Sequence, residues 1–437
     1  MTEGVWARAA ALYLPLTAAA IAFVLGKRRP RQPAAVLLSV LWSATALLAL
    51  QRLNQYFGWW SFPEPGVSLA GIPAELYLGW IVLWGVFPVP VFNRFPVLWS
   101  AAVMGLLDLF AMPLCKPAVV LGPHWLAGEA VAVAFVLLPA LCIARWTEAD
   151  AHLKARATMQ TATAGMLFLF LLPELAFALR PGAGWSPLLA MHASVRQMAI
   201  QFLLMLALPG VAAVMEFAER GGGTPIPYDP PKRLVVSGIY RYVANPMQLS
   251  CALVMLLWAG MLRNLWLALA AVMSVVYSAG IAEWDERDDL NRRFGAEWQT
   301  YRMRVHNWLP RWRPYHAGAA ARLYIAASCG PCSELRAWLE ARRPLGLQIV
   351  DAETLPAGSI RRMRYEPADE CAPADGVRAL GRALEHLNLG WALAGAALRL
   401  PLLWHGVQVV MDASGLGPRD LTCDSARSQQ PETTSAD

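Results

Sequence analysis

Long apolar runs separated by short polar segments make up the chain as far as Ala282. A helix needs about 20 mostly apolar residues to cross a bilayer. On this criterion the pattern predicts nine membrane spans. Their bounds are Ala9–Leu25, Ala34–Leu50, Leu76–Phe92, Val97–Leu114, Trp125–Ile143, Ala157–Leu179, Met198–Phe217, Met247–Leu262 and Leu265–Ala282.

The basic residues between these runs predict how the chain is oriented. Alternate loops contain Lys27–Arg31, Arg94, Arg145–Arg156 and Arg220–Arg241, whereas the loops on the other side contain few basic residues. Since cytoplasmic loops of membrane proteins are enriched in Lys and Arg, we expect the N-terminus outside and the C-terminus in the cytoplasm. We expect a bacterial inner membrane as the location.

Composition agrees with a polytopic helical membrane protein. The chain is 57% hydrophobic and 16% charged, against about 45–50% and about 25% in soluble domains. Its 19 Trp residues are typical of the aromatic belts at a membrane surface. The formal charge of +6 comes from residues beside the predicted spans. We therefore expect the lipid bilayer as a partner and no nucleic acid.

The chain after Ala282 reads as cytoplasmic. Glu283–Arg304 is strongly charged, and Leu290, Phe294 and Trp298 recur every four residues, which predicts a helix with one apolar stripe. A change in composition near Pro314 marks a linker, for which we take residues 315–321.

A small α/β domain is predicted from residue 322 to 424. An apolar strand, Leu323–Ser328, leads into Cys329-Gly330-Pro331-Cys332, then a helix, then a second strand, Leu347–Val350. This is a strand–helix–strand unit.

Three further segments follow in this domain and after it. Val377–Leu387 predicts an amphipathic helix. Leu389–Met411 is apolar but interrupted by charged residues and proline, so domain core, an interfacial hairpin and a tenth span all remain open. The polar tail 425–437 has the composition of a disordered segment.

The Cys-x-x-Cys pair predicts redox chemistry. A helix N-terminus stabilises a thiolate, so Cys329 would attack and Cys332 would resolve the mixed disulfide. Two alternatives stay open. One is a zinc half-site completed by Cys371 and His386, and the other is an inert structural turn.

An ordered set of motifs lies between residues 196 and 314. It comprises Leu234-Val235, Ser237-Gly238-Ile239-Tyr240-Arg241-Tyr242-Val243, Asn245-Pro246-Met247, Glu283 and Glu286, Leu290, Phe294-Gly295, Tyr301 and Trp308-Leu309-Pro310. This segment resembles the isoprenylcysteine carboxyl methyltransferase family, whose relatives include phosphatidylethanolamine N-methyltransferases.

The resemblance implies a site for S-adenosylmethionine at the cytoplasmic membrane face, with a lipophilic acceptor entering from the bilayer. The residues it implies for the cofactor are Gly238, Tyr240, Arg241, Asn245, Pro246, Glu283, Glu286 and Tyr301. A guanidinium such as that of Arg241 suits the carboxylate. One glutamate would take the ribose or the ammonium, and the aromatic rings would flank adenine or the sulfonium.

The segment also departs from the family pattern. Ala244-Asn245-Pro246 stands where the family often has Arg-His-Pro, and Gln248 stands where it often has Tyr. The usual adjacent Glu-Glu falls on Glu286-Arg287.

The C-terminal domain resembles the thioredoxin-like DCC family of thiol-disulfide oxidoreductases. The resemblance depends on Cys329-Gly330-Pro331-Cys332 together with Val377–Leu384 and Leu398–Pro401. It makes Cys329 and Cys332 the redox pair and implies a thiol reductant or a protein disulfide as partner. Pro367 is a weak candidate for the proline that faces a thioredoxin active site.

These features favour a membrane methyltransferase that acts on a lipophilic or thiol-related acceptor and is fused to a redox domain. A membrane-tethered oxidoreductase, with a methyltransferase-like anchor that has lost its activity, is the alternative. A third hypothesis is a transporter or lipid-binding protein built on residues 1–195, which hold about six spans.

Asp108, Glu129 and Glu174 are acids in the apolar runs, where ionisable groups are costly.

Overall fold

The computed structural model describes residues 2–63, 66–116, 118–180, 182–225, 229–356, 358–369 and 371–413. Within these ranges, the side chains of residues 2, 3, 281, 282, 285, 286 and 402 are not described. The predicted tail, 425–437, lies outside the described residues.

Seven helices in the described part of the chain are long and apolar enough to cross a membrane. They are α1 (Gly4–Leu25), α2 (Gln32–Phe57), α3 (Ala74–Val91), α4 (Val97–Leu114), α5 (Trp125–Glu148), α6 (Leu153–Ala178) and α7 (Ala193–Gly221). Two shorter apolar helices follow, α8 (Pro246–Met261) and α9 (Leu265–Gly280). Each of the nine predicted runs thus lies on a helix, and among the described residues seven of these helices are suited to crossing a membrane.

Proline shapes three of these helices. Widened π turns occupy Val82–Val86, Val133–Leu137 and Leu167–Leu171, and each ends two residues before a proline: Pro88, Pro139 and Pro173. Proline has no N–H, and its ring clashes with the carbonyl four residues earlier. A π turn moves that carbonyl away and lets the helix continue.

The chain divides into two compact units. The first contains residues 1–203, 217–232 and 251–277, and the second contains residues 204–216, 233–250 and 278–437. In the first unit, two short antiparallel strand pairs join the connections between helices. They are β1 (Trp60–Ser61) with β4 (Val120–Leu121), and β2 (Ser68–Leu69) with β3 (Ile72–Pro73). Its core includes Leu76, Trp84, Met104 and Val136.

The second unit contains the charged helix α10 (Glu283–Arg304) and a four-stranded sheet. The strands are β5 (Ala321–Ile325), β6 (Leu347–Asp351), β7 (Arg364–Glu366) and β8 (Ala374–Asp375). Their order is β6-β5-β7-β8, with β5 and β6 parallel and the other pairs antiparallel. The helices are α11 (Gly330–Ala341), α12 (Val377–Leu384), α13 (Leu389–Leu398) and α14 (Pro401–Met411).

The predicted strand–helix–strand unit corresponds to β5, α11 and β6. Leu323, Ile325 and Leu339 form its core with Tyr365 of β7. Helices α12 and α13 cross closely, since a Cβ added at Gly395 would lie 2.3 Å from the carbonyl oxygen of Gly381. Only a residue without a side chain permits that approach.

Four buried charges lie at the centre of the second unit. Glu216 accepts from Arg382 at 2.6 and 2.8 Å and from Arg399 at 3.2 Å. Arg399 also contacts Glu385 at 2.5 Å. The four side chains are at most 6% exposed, and their formal charges sum to zero. We call these four residues the buried ion cluster.

Removing one charge from this cluster should destabilise the second unit. Glu216→Gln leaves two guanidiniums with one carboxylate, and breaking a buried pair typically costs about 3–5 kcal/mol. We expect a clear fall in the thermal unfolding midpoint of the detergent-solubilised protein. The double variant Glu216→Leu/Arg382→Met should lose less, because Arg399 and Glu385 remain as a neutral pair.

Asp289→Asn is the matched control. It removes a carboxylate that faces solvent and pairs with Arg293 one helical turn away, and such pairs contribute about 0.3–0.5 kcal/mol. If Glu216→Gln unfolded at the same temperature as this control, the cluster would not be holding the unit together.

Candidate functional site

The motif segment begins with a tight turn whose position depends on Gly238. Gly238–Arg241 is a 3-10 turn, and Gly238 has a φ of 58°. A Cβ at this residue would lie 2.9 Å from the carboxyl carbon of Glu216. Ser237 donates its hydroxyl to Glu216 at 2.5 Å. The sequence Ser-Gly therefore places the turn directly on the buried ion cluster.

The end of α10 and the segment after it fix the rest of the loop. The Tyr301 hydroxyl donates to the Tyr240 carbonyl at 2.8 Å. The backbone N–H groups of Ala244 and Asn245 donate to the carbonyls of His306 and Asn307 at 2.9 and 3.2 Å. Burial raises the pKa of Tyr301, which keeps its hydroxyl protonated as a donor. Asn245 is thus held beside Asn307.

Helix α10 bends at the Phe-Gly motif. Gly295 has φ 49° and ψ −123°, which is not helical. A side chain would be strained at this φ. The bend separates a first segment that contains Glu283, Arg287 and Asn291 from a second that contains Trp298 and Arg302, and both segments line one cavity.

This cavity has a volume of about 360 Å³. It falls within the range of about 300–1,000 Å³ for small-molecule sites. Its walls combine two guanidiniums, one carboxylate, four side-chain amides, an indole and a thioether. The residues are Asn245, Glu283, Arg287, Asn291, Trp298, Gln299, Arg302, Met303 and Asn307.

The internal contacts of the cavity leave hydrogen-bonding capacity. Arg302 lies 3.4 Å from Glu283, donates to the Val305 carbonyl at 2.7 Å and stands 5.5 Å from the Trp298 ring centre. The Asn291 Oδ1 is buried and has no hydrogen-bond partner among the side chains and backbone groups that the structure describes. A buried acceptor without a donor costs about 1–3 kcal/mol, so a ligand that donates here would gain.

The structure places the predicted cofactor residues in different roles. Asn245 and Glu283 line the cavity, whereas Gly238, Tyr240 and Tyr301 build the turn behind it. Pro246 is the first residue of α8. The Glu286 side chain lies outside the described residues.

Arg241 also does not line this cavity. Its positive charge lowers the pKa of both His316 and His386, although burial contributes more to each shift. Arg241 therefore acts on the side of the loop that faces the sheet domain.

Sequence reasoning missed Arg287, Asn291, Arg302 and Asn307. A signal for three of them was present, because Glu283, Arg287 and Asn291 are spaced by four residues, as are Trp298 and Arg302. Such spacing places side chains on one helical face. No local signal marks Asn307, which reaches the cavity through its backbone pairing with Asn245.

The cysteine pair forms a second candidate site. Cys329 is the N-cap residue of α11, and its sulfur lies 2.7 Å from that of Cys332. Both cysteines are in the thiol form, and Cys329 is buried. Although burial opposes it, hydrogen bonds from the N–H groups of Ala327 and Ser328 hold the pKa of Glu353 below its ordinary value. That carboxylate fixes the strand-to-helix turn.

The strand pairing places Pro367 away from the cysteine pair. Pro367 follows Glu366, which pairs with Arg322 at the start of β5. Cys329 follows the opposite end of β5, so Pro367 cannot face the cysteines, and the suggestion that it does was wrong.

His386, proposed above as a zinc ligand, already uses both ring nitrogens, at 3.0 Å to the Tyr365 hydroxyl and 2.8 Å to the Leu345 carbonyl. Within the described ranges, no three His, Cys, Asp or Glu side chains converge.

The acids in the apolar helices differ in their partners. Glu174 pairs with Arg52 and accepts from the Trp185 indole at 2.8 Å, so it has a structural role. Asp108 and Glu129 are both buried and within hydrogen-bonding reach of each other, and Asp108 also contacts Trp80. No pattern in the sequence predicts that these two acids lie together.

Because His386 is buried, we expect the folding stability of the second unit to fall at acid pH. Burial, and then the charge of Arg241, lower its pKa well below 6.5. Below pH 6.5 the unfolded chain binds a proton that folded His386 does not, so stability should fall as the pH falls. The slope is at most about 1.4 kcal/mol per pH unit. Above pH 6.5 this residue should contribute no pH dependence.

His386→Gln should flatten this slope between pH 6.5 and 5 in denaturant titrations of the solubilised protein. His405→Gln, at an exposed histidine of α14, should leave it unchanged. An identical acid slope in both variants would contradict the assignment to His386.

Comparison with known proteins yields no match to this chain. No family model, no curated protein and no solved structure matches it. What the two sites do must therefore follow from their own residues and geometry.

Proposed function

We propose that the chain is an integral-membrane S-adenosylmethionine-dependent methyltransferase that acts on a lipophilic or thiol-related acceptor. The observation that carries this proposal is the cavity between Asn245 and the two segments of α10. It is formed by the same segment that resembles isoprenylcysteine carboxyl methyltransferases.

The walls of the cavity suit the polar groups of this cofactor. Arg302 and Arg287 can pair with a carboxylate, since a guanidinium presents several donors in a fixed plane. Glu283 can accept from an ammonium or from ribose hydroxyls. The Asn291 Oδ1, for which no described residue is a donor, suits a donor such as the exocyclic amine of adenine.

The remaining requirement is to position two reactants and exclude water. S-adenosylmethionine supplies a methyl group on a positively charged sulfur. The Trp298 ring can face a cation, because aromatic faces attract positive charge. Asn245 and Asn307 are fixed by backbone hydrogen bonds, so their amides are oriented in advance.

Glu283→Gln tests the cofactor site directly. The change keeps the shape and removes the charge, so we expect S-adenosylmethionine to bind about tenfold more weakly in calorimetry of the solubilised protein. A hydrogen bond to a charged group contributes about 1.5–3 kcal/mol, which is consistent with a loss of this size.

Glu297→Gln is the matched control, because Glu297 lies on the same helix but is exposed and outside the cavity. Its affinity should equal that of the unmodified protein. Failure of folded, unmodified protein to bind the cofactor even at millimolar concentration would refute the proposal.

A second function is favoured by the cysteine pair. The two sulfurs lie 2.7 Å apart at the start of α11. A small movement would bring them to bonding distance, and oxidation by an external oxidant would join them in a disulfide. Strands β5 and β6 are parallel neighbours, and α11 connects them along the chain. This arrangement also supports a thioredoxin-like unit. On this alternative the chain is a membrane-tethered thiol-disulfide oxidoreductase, and the methyltransferase-like part is an anchor.

The redox proposal predicts reversible loss of two thiols on mild oxidation. Mass spectrometry should locate the new disulfide between Cys329 and Cys332, and Cys329→Ser should abolish it. Cys371→Ser, outside the pair, should behave like the unmodified protein. Oxidation that instead joined Cys371 to either cysteine would contradict this assignment.

A further inference from the structure

An apolar groove lies beside the cysteine pair. Its volume is about 740 Å³, and helices α11, α12, α13 and α14 form its walls. Eleven of its twelve lining residues are uncharged and apolar, and Glu334 is the exception. The residues are Pro331, Glu334, Leu335, Trp338, Leu380, Leu384, Trp391, Ala394, Ala397, Leu398, Leu403 and Val407.

The groove begins at the redox motif. Pro331, between the two cysteines, belongs to its wall. Cys332 packs against the core of the same domain, together with Leu335 and Trp338 of the groove. One end of the groove therefore reaches the residue that lies between the two cysteines in the chain.

Two of the four walls have the composition of a membrane segment. Leu389–Leu398 and Leu403–Met411 are together apolar enough for a span, but they are bent by 86° at the break between them. Pro401 at the start of α14 accounts for the break, because proline cannot continue the preceding helix. The bend means that the two helices do not form one straight span across a bilayer.

The outer surface of this hairpin remains apolar. Val409 is 67% exposed and Val410 is 64% exposed, and neither lines the groove. In a chain with seven helices suited to membrane crossing, such a surface has a bilayer available to cover it. An exposed apolar patch of this sort marks an interaction site.

The rim adds the residues that favour lipid headgroups. The Arg342 guanidinium lies 3.8 Å from the Trp338 ring centre, and Trp338 packs edge-on against Trp391 at 4.8 Å. Arg342 and Arg343 are both exposed. Tryptophan is enriched at membrane surfaces, and exposed arginines attract anionic headgroups.

We propose that the groove binds one acyl chain of an anionic phospholipid of the bilayer, with the headgroup at Arg342 and the chain running past Pro331. The site goes beyond the proposed function and does not depend on the cofactor cavity. It places a lipid beside Cys329 and Cys332, so the redox pair would work at the membrane surface.

The test uses the full chain in nanodiscs of phosphatidylglycerol. A small fraction of the lipid carries a photoactivatable diazirine on its acyl chain, and mass spectrometry locates the label. We expect label on peptides from α12 and α13 that line the groove.

Ala394→Trp fills the groove and should lower its labelling at least tenfold, while labelling of α1 in the same sample stays constant. Val409→Trp, on the outer face of the hairpin, is the matched control and should not reduce it. Ala397→Trp provides a second blocking variant if the first fails to fold. Arg342→Glu should lower groove labelling by phosphatidylglycerol but not by phosphatidylcholine.

Three results would overturn the proposal. One is labelling of the membrane helices with the groove peptides at background. A second is groove labelling that both blocking variants leave unchanged, since the label would then reflect only proximity to the bilayer. The third is displacement of the labelled lipid by an added apolar peptide whose disulfide exchanges with Cys329, which would assign the groove to a peptide.

Discussion

The second unit depends on four buried charges that can be stable only together. Glu216, Glu385, Arg382 and Arg399 come from three separate stretches of the chain. Each charge would be costly alone in a buried environment, so each requires its partners. Glu216 also accepts from Ser237 and packs against Gly238. One ionic constraint therefore fixes residues 204–216, the Gly-Ile-Tyr turn and the helices of the sheet domain in a single arrangement within the second unit.

Because of this arrangement, the Gly-Ile-Tyr turn connects the polar cavity with the sheet domain that contains the cysteine pair. The turn on the ion cluster leads to Asn245, which lines the polar cavity. The same turn contacts the sheet domain, where the Tyr242 hydroxyl donates to the Glu385 carbonyl at 3.0 Å. Helices α12 and α13 also form walls of the apolar groove; Arg382 lies in α12, and Glu385 and Arg399 directly follow α12 and α13. A polar cavity, a thiol pair and an apolar groove thus lie within one compact unit.

The core of the first unit is mostly apolar, and its few buried charges pair with residues of the same unit. Glu174 has Arg52, and Arg156 is held between Asp150 and Asp229 at 2.8 and 3.0 Å. Asp108 and Glu129 differ because the partner of each is another acid. Two carboxylates in contact in an apolar core require at least one proton between them, since like charges so close cannot both persist.

The sequence by itself determined the features that arise from short-range physics. Apolar runs predicted the nine helices, and local pattern predicted the strand, the Cys-Gly-Pro-Cys motif and the helix that follows it. It also singled out Asn245 and Glu283. Only the tertiary structure decided that Tyr240 and Tyr301 support the loop, that Arg302 and Asn307 complete the cavity, and that Arg382 and Arg399 meet Glu216. These outcomes depend on contacts between residues far apart in the chain, and periodicity carries no information about which distant charges will be buried together.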